Sequence, residues 1–402
     1  MRRSVTSAAA AALLLAACAS GNDGDAGTTP TISDAVAATT PITVDQVEAS
    51  PPAVAASGLD IVAGRSVDDA PEPLVDPSEI RSGGPPPDGI PSIDDPTFLA
   101  PSAVRFLEET EPVVAIEVEG DARAYPIQIL MWHELVNDTI GGVPVTVSYC
   151  PLCNSAVAYD RRLDGRVLEF GTSGRLWNSA LVMYDRQTET LWSHFTAQGI
   201  IGELTGEQLQ TLPVATVPWG IWRDANPDGL VLSRDTGFER DYGRNPYLGY
   251  DDIDGTPFLF EGDIDGRYTA MTRIVGVEID GDAVAVPLAR LREAGVVDTE
   301  VGGTDVVVLW QAGTASALDA DDVAGGSDVG ATGVFVPVVD GQRLDFEPAD
   351  DGFVDAQTGS TWNILGEAFA GALTGARLDA VAHVDTFWFA WSAFIPDTEI
   401  VD

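Results

Sequence analysis

"VVAIEVEGDARAYPIQIL", Val113–Leu130, recurs as "IVGVEIDGDAVAVPLARL", Ile274–Leu291. In each stretch, apolar residues alternate with polar ones on both sides of a Gly-Asp pair. That pattern predicts two antiparallel strands joined by a tight turn. Pro126 then fits the first position of a helix, and "IQILMWHELV" carries apolar residues at helical spacing. Both copies next reach a double glycine and a strand, "IGGVPVTVSYC" against "VGGTDVVVLWQ".

Further out, "YDRQTETLWS" (184–193) is matched by "VDAQTGSTWN" (354–363). "GELTGEQLQTLPVATVPWGIW" (202–222) is matched by "GALTGARLDAVAHVDTFWFAW" (371–391). Blocks recurring in one order argue for a tandem duplication over 98–235 and 271–402, with a connector over 236–270. A solenoid needs more copies, so two predict a pseudo-symmetric pair forming one body. Each copy reads as short strands with one helix. The long alternating helices of a parallel sheet are missing, so the expected fold class is α+β, mainly antiparallel β.

The N-terminus sets the compartment. Met1, Arg2 and Arg3 precede an Ala/Leu-rich run ending in "LLLAACAS". This reads as a signal peptide over 1–17, too short to span a bilayer. "LAAC" resembles a bacterial lipobox, which implies cleavage before Cys18 and lipidation of its thiol. From residue 18 to 97 the chain is rich in Ala, Thr, Pro, Gly, Ser and Asp, as in "GGPPPDGIPSIDDP". That composition predicts a disordered tether. The expected protein is extracytoplasmic and lipid-anchored to the cell membrane.

Net charge is −42, and every basic residue is arginine. The missing lysines exclude Schiff-base chemistry and a P-loop. A surface this acidic repels nucleic acid phosphates, so no nucleic acid partner is expected. No nucleophile elbow or dinucleotide fingerprint occurs. The aspartates over 251–265 lack EF-hand spacing.

"DARAYPIQILMWHELVND", "GGVPVTVSYCPLCNSAVAYDR", "FGTSGRLWNSALVMYDRQTETLW" and "RDYGRNPYLGY" resemble the bacterial DUF 3179 family across roughly 98–400. The resemblance supports the extent of the domain and implies no particular activity.

The two copies can be compared position by position. His133 faces Ala294, Cys150 faces Gln311, Cys153 faces Thr314 and His194 falls beside Ile364. The scaffold therefore tolerates losing all four, which points to a site in the first copy. "SYCPLCNSAV" (148–157) puts Cys150 and Cys153 before a strand, unlike a redox motif that opens a helix. Two thiolates with His133, and with His194 or His383 as a further ligand, would form a mixed site suited to copper, zinc or iron. Outside the cytoplasm a plain disulfide competes with that reading. Glu134 adjoins His133 and reads as a solvated helix-end residue. The Asp160–Arg161 and Asp185–Arg186 units read as ion pairs closing hairpins.

Two functions follow. One is a metal-binding or thiol-redox lipoprotein of the envelope using the Cys-x-x-Cys and histidine. The other is a non-enzymatic lipoprotein that binds a ligand or partner, with a Cys150–Cys153 disulfide as a staple.

Overall fold

A computed structural model describes residues 56–65 and 70–402. Cys18, the signal peptide and much of the expected tether lie outside the described residues. The fold is built mostly of antiparallel β-sheet with a few short helices.

The decisive stretch forms the expected hairpin. Strands Pro112–Val118 and Asp121–Pro126 pair antiparallel, with Val118 opposite Asp121. The two turn residues are Glu119 and Gly120, both at positive φ (50° and 80°). That geometry matches the right-handed twist of the strands, and glycine supplies it without steric penalty. Asp280 and Gly281 do the same between Arg273–Ile279 and Asp282–Pro287.

The helix is shorter than its apolar pattern suggests. It spans Ile127–His133, with Pro126 as the capping residue before it. Glu134 takes a left-handed conformation and turns the chain into strand Leu135–Ile140. A second short helix, Trp219–Ala225, was not anticipated. Its counterpart Trp388–Phe394 lies near the C-terminus.

Three larger sheets and a two-stranded ribbon, Arg162–Leu163 with Arg166–Val167, make up 112–232. Ala215–Pro218 pairs with Pro112–Val118, and Leu135–Ile140 pairs with Val143–Cys150, which pairs with Ser155–Asp160. Phe170–Trp177, Ala180–Asp185 and Leu191–Ser193 form the third meander. From Arg273 onward, strands and helices follow in the same order and at similar lengths. Among the described residues, strands pair parallel at Leu230–Leu232 on Asp121–Pro126 and at Glu399–Ile400 on Asp282–Pro287, and Ile93 bridges Val136 in parallel.

The third meanders are fastened alike. The Trp192 indole donates to Asp185 Oδ2 at 2.9 Å, and the Trp362 indole donates to Asp355 Oδ2 at 2.9 Å. Thr188 and Thr358 donate to the same two aspartates. Asp185 is thus not paired with Arg186, as its sequence neighbourhood suggested. Arg186 instead reaches Asp94 at 2.6 Å and Ser92 at 2.8 Å. Asp160 likewise pairs with Arg162, while Arg161 donates to the carbonyls of Leu168 and Asp138.

The core is shared between the halves. One apolar cluster joins Tyr125, Leu130 and Tyr149 to Phe387, Trp388 and Phe389, and a second joins Val113 and Trp219 to Phe335 and Trp362.

Described residues within the expected 18–97 tether are packed against the body. Ile93 is buried, donates to the Leu135 carbonyl and accepts from the Asn137 amide, both at 2.9 Å. Ile80 and Ser57 are buried too. The physical reason is that isolated anchors gain packing and backbone bonds that average composition does not register.

Candidate functional site

Cys150 ends strand Val143–Cys150, and Ser155 opens the next. Between them the Cys153 amide donates to the Cys150 carbonyl at 3.3 Å, closing a β-turn. Both cysteines are free and buried, with their sulfurs 3.1 Å apart. The absence of a following helix agrees with the sequence reading. Burial, then the hydrogen bond with Cys150, pushes the Cys153 thiol well above its ordinary value.

Two donors fix the turn from the far half. The Phe387 amide donates to the Cys153 carbonyl at 3.1 Å, and the Thr386 hydroxyl does so at 2.8 Å. A cavity of about 50 Å³ lies against Tyr149 and Asn154, with Arg273 and Asp385 in its lining.

His133 does not converge on the sulfurs. Its Nδ1 donates to the Pro91 carbonyl at 2.7 Å, so Nε2 accepts from the Tyr242 hydroxyl at 2.6 Å. Both ring nitrogens are engaged away from the turn, because the short helix aims the ring at residue 91 and the connector. His383 is also elsewhere, with Nδ1 on the Val381 carbonyl at 2.9 Å. Among the described residues, no three His, Cys, Asp or Glu side chains gather as a metal would need. The expected cluster of His133, Cys150 and Cys153 is corrected accordingly.

His194 is the histidine that reaches the turn. The Ser148 hydroxyl donates to the Glu134 carbonyl at 3.0 Å, so it accepts from His194 Nδ1 at 2.9 Å. His194 Nε2 then accepts from the Ser155 hydroxyl at 2.8 Å. A polar chain therefore runs from Ser155 through His194 and Ser148 to the Glu134 backbone carbonyl. The Cys153 thiol itself points to the Ser179 carbonyl at 3.8 Å. Burial lowers the His194 imidazole to about 3, so it stays neutral.

Glu134 is not the solvated residue its place in the sequence suggests. It is buried, and no ion pair with it is formed among the described residues. Desolvation raises its carboxyl to about 7. Its charge is felt by the Cys153 thiol and by Tyr247. Its φ is 59°, where the other half places Gly295 at 73°. A side chain held in that region costs about 1 kcal/mol, and such strain concentrates at functional sites.

The connector covers this site. Tyr247 and Tyr250 pack on the core beside the cysteines, and burial raises both hydroxyls. These tyrosines and Ser155 were missed as site residues. The signal was the motif "RDYGRNPYLGY", whose tyrosines recur at short spacing.

A family model described as "Protein of unknown function (DUF3179)" matches residues 87–398, and the chain belongs to that family. No curated protein and no solved structure matches it.

Proposed function

We propose that this family member is a thiol-redox protein of the cell envelope, tethered through a lipid on Cys18 and working through Cys150 and Cys153. The observation that supports it best is the apposition of two free, buried sulfurs, with the charge of the buried Glu134 carboxyl, raised to about 7, reaching Cys153. A general base works best with a pKa near the operating pH.

The reaction partner is a low-molecular-weight disulfide, since both sulfurs are enclosed. Cys150 gives its proton to Glu134, and its thiolate attacks one sulfur of the partner. The partner's first thiolate leaves and takes that proton, and a mixed disulfide remains. Cys153 then attacks Cys150 Sγ, its proton passing to the second thiolate released. The cysteines lose two electrons, and the partner becomes two thiols.

The two halves are read as copies of one unit, the first carrying the site and the second supporting it. Gly295, Gln311, Thr314 and Ile364 stand in the second where the first has Glu134, Cys150, Cys153 and His194. The matched Asp185–Trp192 and Asp355–Trp362 bonds favour this reading.

The test is a redox titration of the purified chain in thiol–disulfide buffers, trapped by alkylation and read by mass. A reversible two-electron midpoint above about −300 mV is expected. A pair still oxidised below that potential is a structural staple. Bound zinc or copper that is lost in the Cys150→Ala/Cys153→Ala variant makes it a metal site instead. For the anchor, Cys18→Ser should release the protein from the membrane fraction, and retention equal to wild type overturns lipidation.

A further inference from the structure

Both cysteines are enclosed, so any partner waits for an opening. The connector offers one. Its ends are fixed: the Tyr242 hydroxyl holds His133, and Arg267 donates to the Thr398 carbonyl at 2.7 Å. Between these points it forms no helix or strand. Tyr247, Tyr250 and Phe260 turn inward onto the apolar cluster that contains both sulfurs. A charge on either sulfur is felt at the Tyr250 hydroxyl. Phe258 reaches the site by another contact. Its carbonyl accepts from the Ser179 hydroxyl, and the Ser179 carbonyl accepts from the Cys153 thiol at 3.8 Å.

Little apolar burial holds this segment shut. Leu248, Ile253, Phe258 and Leu259 remain exposed. Its fastenings are polar instead. The Gly249 amide donates to the Asp319 carbonyl at 2.9 Å, and the Tyr250 amide donates to the Leu318 carbonyl at 3.1 Å. The Asp251 carboxylate makes the strongest attachment. It accepts from Arg273 Nη2 at 2.8 Å and from the Ser316 hydroxyl at 2.5 Å. Charge-assisted bonds of this kind are about twice as strong as neutral ones. Arg273 also lies over the ring of Phe387, whose amide holds the Cys153 carbonyl. The attachment and the dithiol turn thus share one support.

A segment with irregular backbone, exposed apolar side chains and polar fastenings opens at lower free energy than the sheets beneath it. Gly243, at φ 99°, supplies a hinge at its start, a conformation open to glycine.

We propose that residues 243–266 are a lid over the dithiol, latched by Asp251 on Arg273 and Ser316, and that its opening admits the disulfide partner. The lid's purpose rests on the thiol-redox reading, but access to the sulfurs can be measured without it.

Iodoacetamide labelling of the reduced full chain, read by mass, measures that access. Wild type should label more slowly than the unfolded chain. Its rate should change little with urea below the unfolding transition, because an opening lid exposes little surface. Asp251→Ala should speed labelling by about tenfold or more, the effect of losing a charge-assisted hydrogen bond. Val297 lies in a core cluster that holds no connector residue, so Val297→Ala should lower global stability and leave labelling unchanged. Three results each overturn the lid: labelling as fast as in the unfolded chain, labelling that follows global unfolding in urea or in Val297→Ala, and an unchanged rate in Asp251→Ala. If Asp251→Ala does not fold, amide exchange of wild type decides. The Gly249 and Tyr250 amides should exchange through an opening as frequent as the one that exposes the thiols, and far more often than the Val147 amide. Protection equal to that of Val147 overturns the lid. A lid that opens as expected over a pair with no reversible potential stands while the redox reading falls. A reversible pair whose labelling ignores Asp251 has the opposite outcome.

Discussion

The sulfurs of Cys150 and Cys153 lie 3.1 Å apart across a β-turn whose ends are already joined by a backbone hydrogen bond. Cα atoms at the ends of such a turn are closer than about 7 Å, within reach of a disulfide. Closing so short a loop removes little freedom from the unfolded chain, about 2 kcal/mol in the chain-entropy account. A staple placed here would do little that the hairpin does not. We therefore expect oxidised and reduced protein to differ in unfolding free energy by no more than about 2 kcal/mol. Urea unfolding with and without a strong reductant measures this. A loss of more than twice that on reduction would favour the staple.

Glu134 should make the protein less stable as pH rises. Its carboxyl is raised from 4.5 to about 7 by burial. The folded protein thus holds this proton more tightly than the unfolded chain does. The contribution is full below pH 4.5 and is lost as pH climbs through about 7. The shift corresponds to about 3 kcal/mol. Glu134→Gln should flatten this part of the urea stability profile and be the more stable protein at pH 8. If it is the less stable one, the carboxylate has a partner that the folded geometry does not reveal.

His194 acts in the opposite sense. Its imidazole is lowered from 6.5 to about 3 by burial. The unfolded chain takes up the proton first, so stability falls as pH drops from about 6.5 toward 3. The full effect is about 5 kcal/mol. Between pH 4.5 and 6.5 it opposes the Glu134 slope, so it is best measured in the Glu134→Gln background. There, His194→Asn should remove most of the acid slope. It should also lower the neutral-pH plateau by about 1–3 kcal/mol, because Ser148 or Ser155 loses a partner. An acid slope unchanged by the substitution would place the acid sensitivity elsewhere.

The hairpins were legible because their turns are local. Glu119 and Gly120 fix a register that the alternating strands then follow. The site was legible only in part. Cys150 and Cys153 announce themselves, and they do lie together. Which histidine joins them depends on where a helix stops, and that is decided by the left-handed Glu134. Periodicity runs on through Glu134 into "LV" and gives no sign of the break. His133 is nearer the cysteines in sequence and is turned away, whereas His194 arrives from the turn after strand Leu191–Ser193. Composition misjudged the start of the body for a related reason. Ile80 and Ile93 are single apolar residues among Pro, Gly and Asp, and averaging over the window erases them.

The region before residue 98 should therefore matter to stability. Ile93 sits on the Leu135–Ile140 edge through two backbone bonds, and its side chain is buried. Arg186 clasps the same segment through Asp94 and Ser92. A tether would contribute nothing, so the readings separate cleanly. Ile93→Ala deletes most of a buried side chain and should lower the unfolding free energy by about 2–4 kcal/mol. Arg186→Ala should lower it less, by about 1 kcal/mol, because Asp94 is partly exposed and its ion pair is screened. Combined, the two should fall short of the sum, since both fasten one segment to one edge. Limited proteolysis gives a second readout, with new cleavage between residues 70 and 97 in Ile93→Ala and none there in wild type. An Ile93→Ala protein within about 0.5 kcal/mol of wild type, the range of surface substitutions, would return this segment to the tether.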